Sequence, residues 1–245
     1  EIGSTAWPAK KQKEIAHRYM LGLYKILENI TSNFPNILFE SCSGGGGRFD
    51  GGMLYYMPQT WTSDDTDAIE RLMIQEGTSL VYPTSSMGSH VSAVPNHQVH
   101  RITPLNTRGV VAMAGSFGYE LDVTKMNEEE KEEVKKQVEF YKNIRSTVQF
   151  GDLYRLKSSF DSNEAAWMNL SKDGKEVVVS YVKKYAEANV IPRRLKVKAL
   201  DENSLYEVIE TGEVFGGDEL MYIGLEIGEL MGDYQAKNWT LRKVD

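Results

Sequence analysis

The sequence is poor in cysteine, because Cys42 is the one cysteine among 245 residues. A single thiol cannot close an internal disulfide, which excludes a scaffold held together by disulfides. This shortage favours a reducing compartment, and we expect a cytoplasmic protein. Long apolar runs are missing as well, since no stretch approaches the roughly 20 residues that cross a bilayer. We therefore expect no membrane partner.

Positive charge is also scarce. Lysine and arginine together number 28 against 35 aspartates and glutamates, and the formal net charge is −7. Proteins that bind nucleic acid through its phosphates need concentrated positive charge, so no nucleic-acid partner is expected. Hydrophobic residues make up 41% of the chain, enough for a core in one large domain or two small ones. The sequence begins without methionine or a signal-like segment, and we expect it to be part of a longer polypeptide.

Apolar side chains recur at helical spacing in three stretches and form short runs in two others. Spacings of three and four residues predict helices near residues 11–30, 67–75 and 128–145. The short apolar runs predict strands at residues 37–39 and 110–113. The first part of the chain is therefore expected to alternate strands with helices.

The pattern changes near residue 147. Short runs, several of which alternate apolar with polar residues, follow at residues 167–170, 177–182, 195–199 and 205–209. The dipeptide Asp173-Gly174, between two of these runs, is a hairpin-turn signal. The sequence thus predicts an α/β unit over residues 1–146 and an all-β antiparallel unit over residues 147–245.

Residues 41–50 contain four successive glycines, Gly44 to Gly47, directly after the first predicted strand. Glycine allows the backbone to approach another group closely. Three interpretations are open: a phosphate cradle, a flexible loop, or a loop that lines a ligand site at the carboxyl end of a strand, where barrel enzymes place their sites. The phosphate cradle is disfavoured because the spacing of neither a P-loop nor a dinucleotide fingerprint is present.

Acidic residues cluster where the second helix is predicted to begin. Trp61 lies three residues before Asp64, and Asp65 and Asp67 follow. Carboxylates at a helix start commonly accept the free N–H groups there, so the segment alone favours capping. The alternative is a catalytic carboxylate, with the Trp61 ring as the apolar wall of a sugar site.

Three histidines and the cysteine are weaker candidates. His97 and His100 form a His-x-x-His pair, and His90 precedes them. Such a pair is weak evidence for a metal, and hydrogen bonding within loops is favoured, so no metal site is expected. A thiol nucleophile at Cys42 would need a histidine fixed beside it, and nothing in the sequence places one there.

Several of these stretches, taken together, resemble the bacterial α-galactosidases of glycoside hydrolase family 36. The Cys-Ser-Gly-Gly and Trp-Thr-Ser-Asp motifs are among them, and all occur in the family's order across nearly the whole chain. A series of this length is far more specific than an isolated glycine loop. The matching stretches are residues 41–50, 58–64, 82–83, 90–97, 117–121 and 216–221.

The resemblance implies the C-terminal half of a (β/α)8 barrel followed by an antiparallel β-sandwich, which agrees with the change near residue 147. Family members hydrolyse terminal α-linked galactose from melibiose- or raffinose-type sugars with retention of configuration. They use one carboxylate as nucleophile and another as acid/base, and no cofactor is implied. The implied partner is therefore a galactose-containing oligosaccharide.

The resemblance also implies roles for individual residues. The family's acid/base corresponds to Asp64, and its glycine loop lines the galactose pocket through positions that correspond to Cys42, Gly44 and Gly45. Trp61 is the fourth expected substrate-binding residue.

Asp50 and Asp65 are alternative candidates for the acid, although Asp50 is better explained as a residue that holds the glycine loop. The family's nucleophile belongs to a Lys-Trp-Asp motif that precedes the segment matching residues 1–4, and this sequence contains no such motif. We therefore expect the chain alone to be inactive and its partner to be the upstream part of the barrel. The full-length protein is expected to be a homo-oligomer, as family members often are.

Two other classes of function stay open. The first is a related enzyme that acts on α-N-acetylgalactosamine or transfers galactose to another sugar. The second is a non-catalytic carbohydrate-binding or assembly module, in which Asp64 would be a helix cap. The activity of an Asp64 variant distinguishes the enzymes from the non-catalytic module.

The chain expressed alone is expected to associate with other copies, to aggregate, or to depend on contacts with its β-sandwich for stability. Half of a barrel has unpaired strand edges and an exposed inner face. Size-exclusion chromatography with light scattering measures the outcome, and a stable monomer in solution would contradict this expectation.

Overall fold

Four short strands follow one another in sequence and in space, and all of them run parallel. A computed structural model describes residues 3–189 and 191–244 of the chain. The four strands form one sheet in the order β1-β2-β3-β4. They are β1 Glu40–Ser41, β2 Gln59–Trp61, β3 Met87–Ser92 and β4 Ser116–Glu120. Adjacent parallel strands in sequential order, each connected through a helix, are the repeating pattern of a (β/α)8 barrel.

Helices precede, connect and follow these strands. The α-helices are α1 Ile15–Asn33, α2 Gly51–Tyr56, α3 Ala68–Thr78, α4 Leu105–Ala112, α5 Glu128–Phe150 and α6 Gly217–Tyr222. Short 3₁₀ helices occupy Ala9–Glu14, Thr84–Ser86 and Val123–Lys125.

The three predicted helices are present as α1, α3 and α5, and each extends beyond its predicted C-terminal end. Asn127 and Glu130 form a capping box that fixes the start of α5: the Asn127 side chain accepts from the Glu130 backbone N–H at 2.9 Å, and the Glu130 carboxylate accepts from the Asn127 backbone N–H at 3.0 Å. Such reciprocal bonds satisfy two of the free donors at a helix start.

Both strands predicted in the first part of the chain are wrong. Residues 110–113 lie in and just after α4, whose buried face includes Val110 and Val111. A short apolar run does not distinguish a buried strand from a buried helix segment. Residues 37–39 lie before β1, with Ile37 and Leu38 exposed. The sequence did not predict β3 and β4, because β3 is buried along nearly its whole length and neither strand shows a simple alternation.

The second half of the chain is antiparallel, as predicted. A six-stranded sheet has the order β10-β9-β12-β7-β6-β5, and β8 pairs with β11 in a separate two-stranded sheet. The strands are β5 Asp152–Lys157, β6 Glu164–Leu170, β7 Glu176–Lys183, β8 Arg194–Leu195, β9 Leu205–Val208, β10 Glu213–Gly216, β11 Leu225–Glu226 and β12 Gln235–Val244. We call strands β5–β12 the β domain.

The Asp173-Gly174 turn joins β6 to β7, as the sequence predicts. Leu170 pairs with Val177 across the hairpin, and Gly174 has a φ of 71°. The predicted run at residues 195–199 is a strand only at its first position, within β8.

Strand β7 is buried on both faces, and this joins the two parts of the chain. On one face Val179 and Tyr181 pack in the core of the β domain with Trp239. On the other face Val178 packs against α5, and Val182 packs in a cluster with residues of α3 and α4. A strand that alternates its side chains between two covered faces is apolar along most of its length, and in β7 residues 177–179, 181 and 182 are apolar. The helices of the half-barrel therefore rest on the six-stranded sheet.

The two faces of the parallel sheet differ in exposure. Side chains that point toward the helices, such as Thr60, Met87 and Val91, are almost completely buried. The opposite face carries polar and aromatic side chains that are half-buried or exposed, among them Trp61 and Glu120. In a closed barrel this second face points to the interior, which is filled by side chains from all eight strands.

Helix α5 runs to Phe150 and β5 begins at Asp152. The division of the chain into residues 1–146 and 147–245 stays a prediction. Within the residues described above, no helix combines the length and the apolar character needed to cross a membrane.

We predict that Val178→Ala in the full-length protein lowers stability by about 2 kcal/mol, because it removes two methyl groups from the contact between the sheet and α5. Val214→Ala is the matched control, since Val178 is 2% exposed and Val214 is 50% exposed. Differential scanning fluorimetry measures both. Equal melting temperatures for the two variants would contradict the packing described here.

Candidate active site

Cys42 and Asp64 follow the first two strands at the same edge of the sheet. Strands β1 and β2 are parallel neighbours with Ser41 opposite Thr60, so the residues that follow each strand emerge side by side. The Cys42 Sγ lies 4.0 Å from the Asp64 Oδ1, which is a long contact between a thiol and a carboxylate. This is the carboxyl edge of the strands, where barrel enzymes place their active sites.

The glycine loop forms a single turn of left-handed helix, Ser43–Gly46, which we call the glycine turn. The φ angles of Gly44, Gly45 and Gly46 are 66°, 70° and 87°, and that of Ser43 is 63°. A left-handed turn costs roughly 1–2 kcal/mol for each residue that carries a Cβ. Three glycines in this turn avoid most of that cost.

The glycine turn packs directly on the segment that carries Asp64. A Cβ placed on Gly45 would lie 2.6 Å from the Asp64 backbone nitrogen and 2.9 Å from the Ser63 Cα. A Cβ on Gly46 would lie 3.2 Å from the Thr62 carbonyl oxygen. By contrast, no atom lies within 4 Å of a Cβ placed on Gly44. Gly45 therefore makes the close approach, and Gly44 borders open space.

The acidic residues around Asp64 have different tasks. Asp67 is the N-cap of α3, where its Oδ1 accepts from the backbone N–H groups of Ile69 and Glu70. Asp65 accepts from the Asp67 backbone N–H at 3.0 Å, and Asp50 caps α2. The capping hypothesis is thus correct for Asp67 and not for Asp64.

The carboxylate of Asp64 belongs to an exposed residue. Its one hydrogen-bonding contact recorded among the described residues is the distant Cys42 thiol. Of the three acid candidates that the sequence offered, Asp64 is the one whose side chain is left available to a ligand.

Trp61 and His90 lie together on the inner face of the parallel sheet. Their rings are stacked with centroids 4.6 Å apart at an interplanar angle of 27°. The Nδ1 of His90 lies 3.8 Å from the Glu120 carboxylate. Burial lowers the pKa of His90, and this carboxylate acts in the opposite direction. Both rings are half-buried, and the role of Trp61 as the apolar wall of a sugar site stays a prediction. His90 belongs to β3, whereas its expected hydrogen bonding within loops would require a loop residue.

Arg71 lies directly behind this candidate site, and the sequence analysis did not identify it. It lies on α3 and is 2% exposed, and its guanidinium carbon lies 4.5 Å from the centre of the Trp61 ring. Burial lowers the pKa of Arg71 to about 10, so the group stays protonated at neutral pH. The spacing of Arg71 from Ile69, Leu72 and Met73 places it off the apolar face of the predicted helix, so the hydrophobic periodicity does not single it out.

The end of β3 and the loop that follows it contact the residues just before α3. The Ser92 hydroxyl donates to the Thr66 carbonyl at 2.7 Å, and the Asn96 amide donates to the Thr66 hydroxyl at 3.0 Å. Arg101 forms an ion pair with Asp67. His97 and His100, which belong to the same loop, are exposed.

This combination defines a class of fold: half of a barrel that carries an available carboxylate at the carboxyl edge of its strands, with a β domain behind its helices. Residues 1–151 match the family model of Melibiase, and residues 164–241 match that of the Glycosyl hydrolase family 36 C-terminal domain. The chain belongs to the Melibiase family.

Two bacterial relatives illustrate the similarity. Over its whole length the chain is 61% identical to the α-galactosidase AgaA of Geobacillus stearothermophilus. It is 54% identical to the α-galactosidase Mel36A of Lactobacillus acidophilus. The chain spans 33% of the length of each of these relatives.

Solved structures agree with this assignment. A crystal structure of an AgaA variant in complex with raffinose matches the whole chain with a TM-score of 0.96 and 60% identity, and 34% of that protein is covered. The α-galactosidase of Lactobacillus brevis matches with a TM-score of 0.95 and 44% identity, again over 34% of its length. The predicted resemblance and the predicted half-barrel with a β domain are confirmed.

We predict that Gly45→Ala destabilises the full-length protein more than Gly174→Ala. Both glycines have a φ near 70°, but only the Gly45 Cβ would clash with backbone. The shared backbone strain costs roughly 1–2 kcal/mol, and the clash adds a further ~1–3 kcal/mol.

Thermal unfolding of the two variants and the parent protein measures the difference. If both variants melted at the same temperature, the glycine turn would not be packed against the Asp64 backbone as described.

Proposed function

We propose that this chain is the C-terminal part of a retaining α-galactosidase that hydrolyses terminal α-linked galactose from melibiose- or raffinose-type oligosaccharides. The support comes from relatives of the same family: AgaA and Mel36A are named α-galactosidases, and crystal structures of AgaA variants contain raffinose and stachyose. Because the chain spans a third of their length, the activity belongs to the longer protein.

The observation that carries the proposal is the position of the Asp64 carboxylate. It is exposed, it caps no helix, and it lies beside the glycine turn at the carboxyl edge of β1 and β2. A general acid must reach the glycosidic oxygen, so a carboxyl engaged in capping could not serve.

Asp64 would act twice in the reaction. In the first step its carboxylic acid gives a proton to the glycosidic oxygen as the bond to the anomeric carbon breaks and an upstream carboxylate attacks that carbon. In the second step the Asp64 carboxylate takes a proton from the water that releases galactose, which restores the acid. The two carboxyl groups of retaining enzymes are about 5–5.5 Å apart, and we assign the nucleophile to the part of the longer protein that this chain does not cover.

Cys42, Gly44, Gly45 and Trp61 would form part of the galactose pocket. The open space beside Gly44 leaves room for a sugar near the backbone of the glycine turn. The half-buried Trp61 ring offers an apolar surface on the inner face of the sheet, and sugar sites use such surfaces.

The partner of the chain would be the upstream part of the same barrel. The half-buried and exposed side chains of the inner sheet face would then point to a closed interior. We also propose that the full-length protein is a homo-oligomer that acts in the cytoplasm, where the exposed thiol of Cys42 stays reduced.

Asp64→Asn in the full-length enzyme tests the acid role. General acid catalysis contributes on the order of 10²–10⁴-fold, and we expect kcat/KM for raffinose to fall by that amount. The value of kcat/KM for 4-nitrophenyl α-galactoside, which reports the first step alone, should fall much less, because nitrophenolate leaves with little protonation.

Asp65→Asn is the matched control for Asp64→Asn. It alters a neighbouring carboxylate whose observed bond is to the Asp67 backbone. We expect its ratio of raffinose to nitrophenyl activity to stay at the parent value. Full raffinose hydrolysis by Asp64→Asn would remove this residue from the acid role and, with it, the proposed mechanism.

Cys42→Ala tests the pocket. We expect galactose to inhibit the variant roughly fivefold more weakly, which corresponds to one hydrogen bond of about 1 kcal/mol. Proton NMR of the first-formed sugar should still show retention, since neither carboxylate is altered. An unchanged inhibition constant for galactose would place Cys42 outside the pocket.

A further inference from the structure

A buried arginine lies directly behind the segment that carries Asp64. The Arg71 Nη1 donates to the Ser63 carbonyl at 3.3 Å, and its Nη2 donates to the Gly88 carbonyl at 2.6 Å. Its Nε donates to the Gln75 amide oxygen at 3.2 Å, and the guanidinium lies over the Trp61 ring. One side chain thus touches the residue before Asp64, the tryptophan of the same motif, and the next strand.

The position of Arg71 on α3 explains its reach. Helical side chains lean toward the N-terminus of their helix, so a residue in the first turns of α3 covers the loop that precedes the helix. Arg71 comes four residues after the Asp67 cap. Its side chain is therefore directed back under residues 61–64.

Burial of a guanidinium at this position carries an unfavourable free energy of desolvation. Removing a cation from water is unfavourable unless a partner compensates for the lost hydration. Among the residues described in the structure, Arg71 forms no ion pair within 4 Å, and its acceptors are the two carbonyls and the Gln75 amide. An apolar side chain would fill the space without that cost, so the contribution of Arg71 lies in its directed hydrogen bonds.

Gln75 connects this arginine to the rest of the barrel. Its amide oxygen also accepts from the Ser89 hydroxyl at 2.5 Å, and its amide nitrogen donates to the Val111 carbonyl at 3.0 Å. Gln75 itself is 5% exposed. The guanidinium is therefore held in place by α3, β3 and α4 together.

We propose that Arg71 is a positioning residue for the general acid. Its planar guanidinium fixes the Ser63 carbonyl and the Trp61 ring relative to β3, and thereby orients the Asp64 carboxyl toward the glycosidic oxygen. This inference rests on the proposed function. Lysine cannot replace arginine here, because an ammonium lacks the coplanar N–H donors of a guanidinium and the flat face that stacks on an aromatic ring.

Arg71→Lys in the full-length enzyme tests the proposal. A displaced acid should harm substrates that need protonation more than substrates that do not. A misplacement of about 1 Å costs roughly 10²-fold, so we expect kcat/KM for raffinose to fall by about that factor. With 4-nitrophenyl α-galactoside the loss should be less than about tenfold.

Arg108→Lys is the matched control. Arg108 is also a buried arginine, 5% exposed, which donates to the backbone carbonyls of Thr103 and Ser92 at 3.0 Å and 2.6 Å. None of its recorded hydrogen bonds reaches residues 61–65. We expect this variant to lose stability as Arg71→Lys does, but to keep the parent ratio of raffinose to nitrophenyl activity.

An equal loss on both substrates in Arg71→Lys, or no loss on either, would overturn the proposal and leave Arg71 a structural residue. If Arg71→Lys does not fold, Gln75→Met is measured instead, because it releases the Arg71 Nε and keeps the arginine. An unchanged substrate ratio in Gln75→Met would equally overturn the proposal.

Asp64→Asn, assayed in parallel, distinguishes a failure of the positioning role from a failure of the proposed function. If Asp64→Asn selectively loses raffinose hydrolysis and Arg71→Lys does not, only the positioning role fails. If Asp64→Asn keeps raffinose hydrolysis, the proposed function itself fails.

Discussion

The candidate site depends on a contact between two pieces of backbone. Gly45 approaches the Asp64 nitrogen so closely that a single Cβ would lie 2.6 Å from it. This approach requires a residue without a side chain, and the left-handed turn around it requires the same. The contact brings the segments that follow β1 and β2 together. The thiol of Cys42 and the carboxyl of Asp64 then lie side by side, in a long contact of 4.0 Å.

Residues 64–67 show how several carboxylates within a short segment can have separate roles. Asp67 satisfies the free N–H groups of α3 and pairs with Arg101, while Asp65 holds the backbone that leads into the helix. These bonds fix the residues on the C-terminal side of Asp64, and the glycine turn and Arg71 fix the N-terminal side. Asp64 lies between two anchored stretches, so its backbone is held although its carboxyl remains available.

The sequence predicts the long helices better than it predicts the strands between them. Helices α3 and α5 have clear periodicity and start signals, and the Asp173-Gly174 hairpin has a turn dipeptide. Strand β3 is buried over most of its length and shows no alternation, while residues 110–113 are apolar because α4 packs on the β domain. The contacts of Arg71 were not predicted either. Most of its acceptors are backbone carbonyls, and the sequence contains no pattern that identifies such acceptors.

Helix α3 links the β domain to the acid. At its C-terminal end the Glu76 carboxylate accepts from the backbone and the hydroxyl of Ser159, each at 2.6 Å, and Arg155 donates to the Ser79 hydroxyl at 2.7 Å. At its N-terminal end the same helix carries Arg71, which holds the Ser63 carbonyl. A helix that is bonded at both ends fixes the position of the segment before it, so the six-stranded sheet supports the segment that carries Asp64. Through these bonds the β domain contributes to the placement of the candidate site.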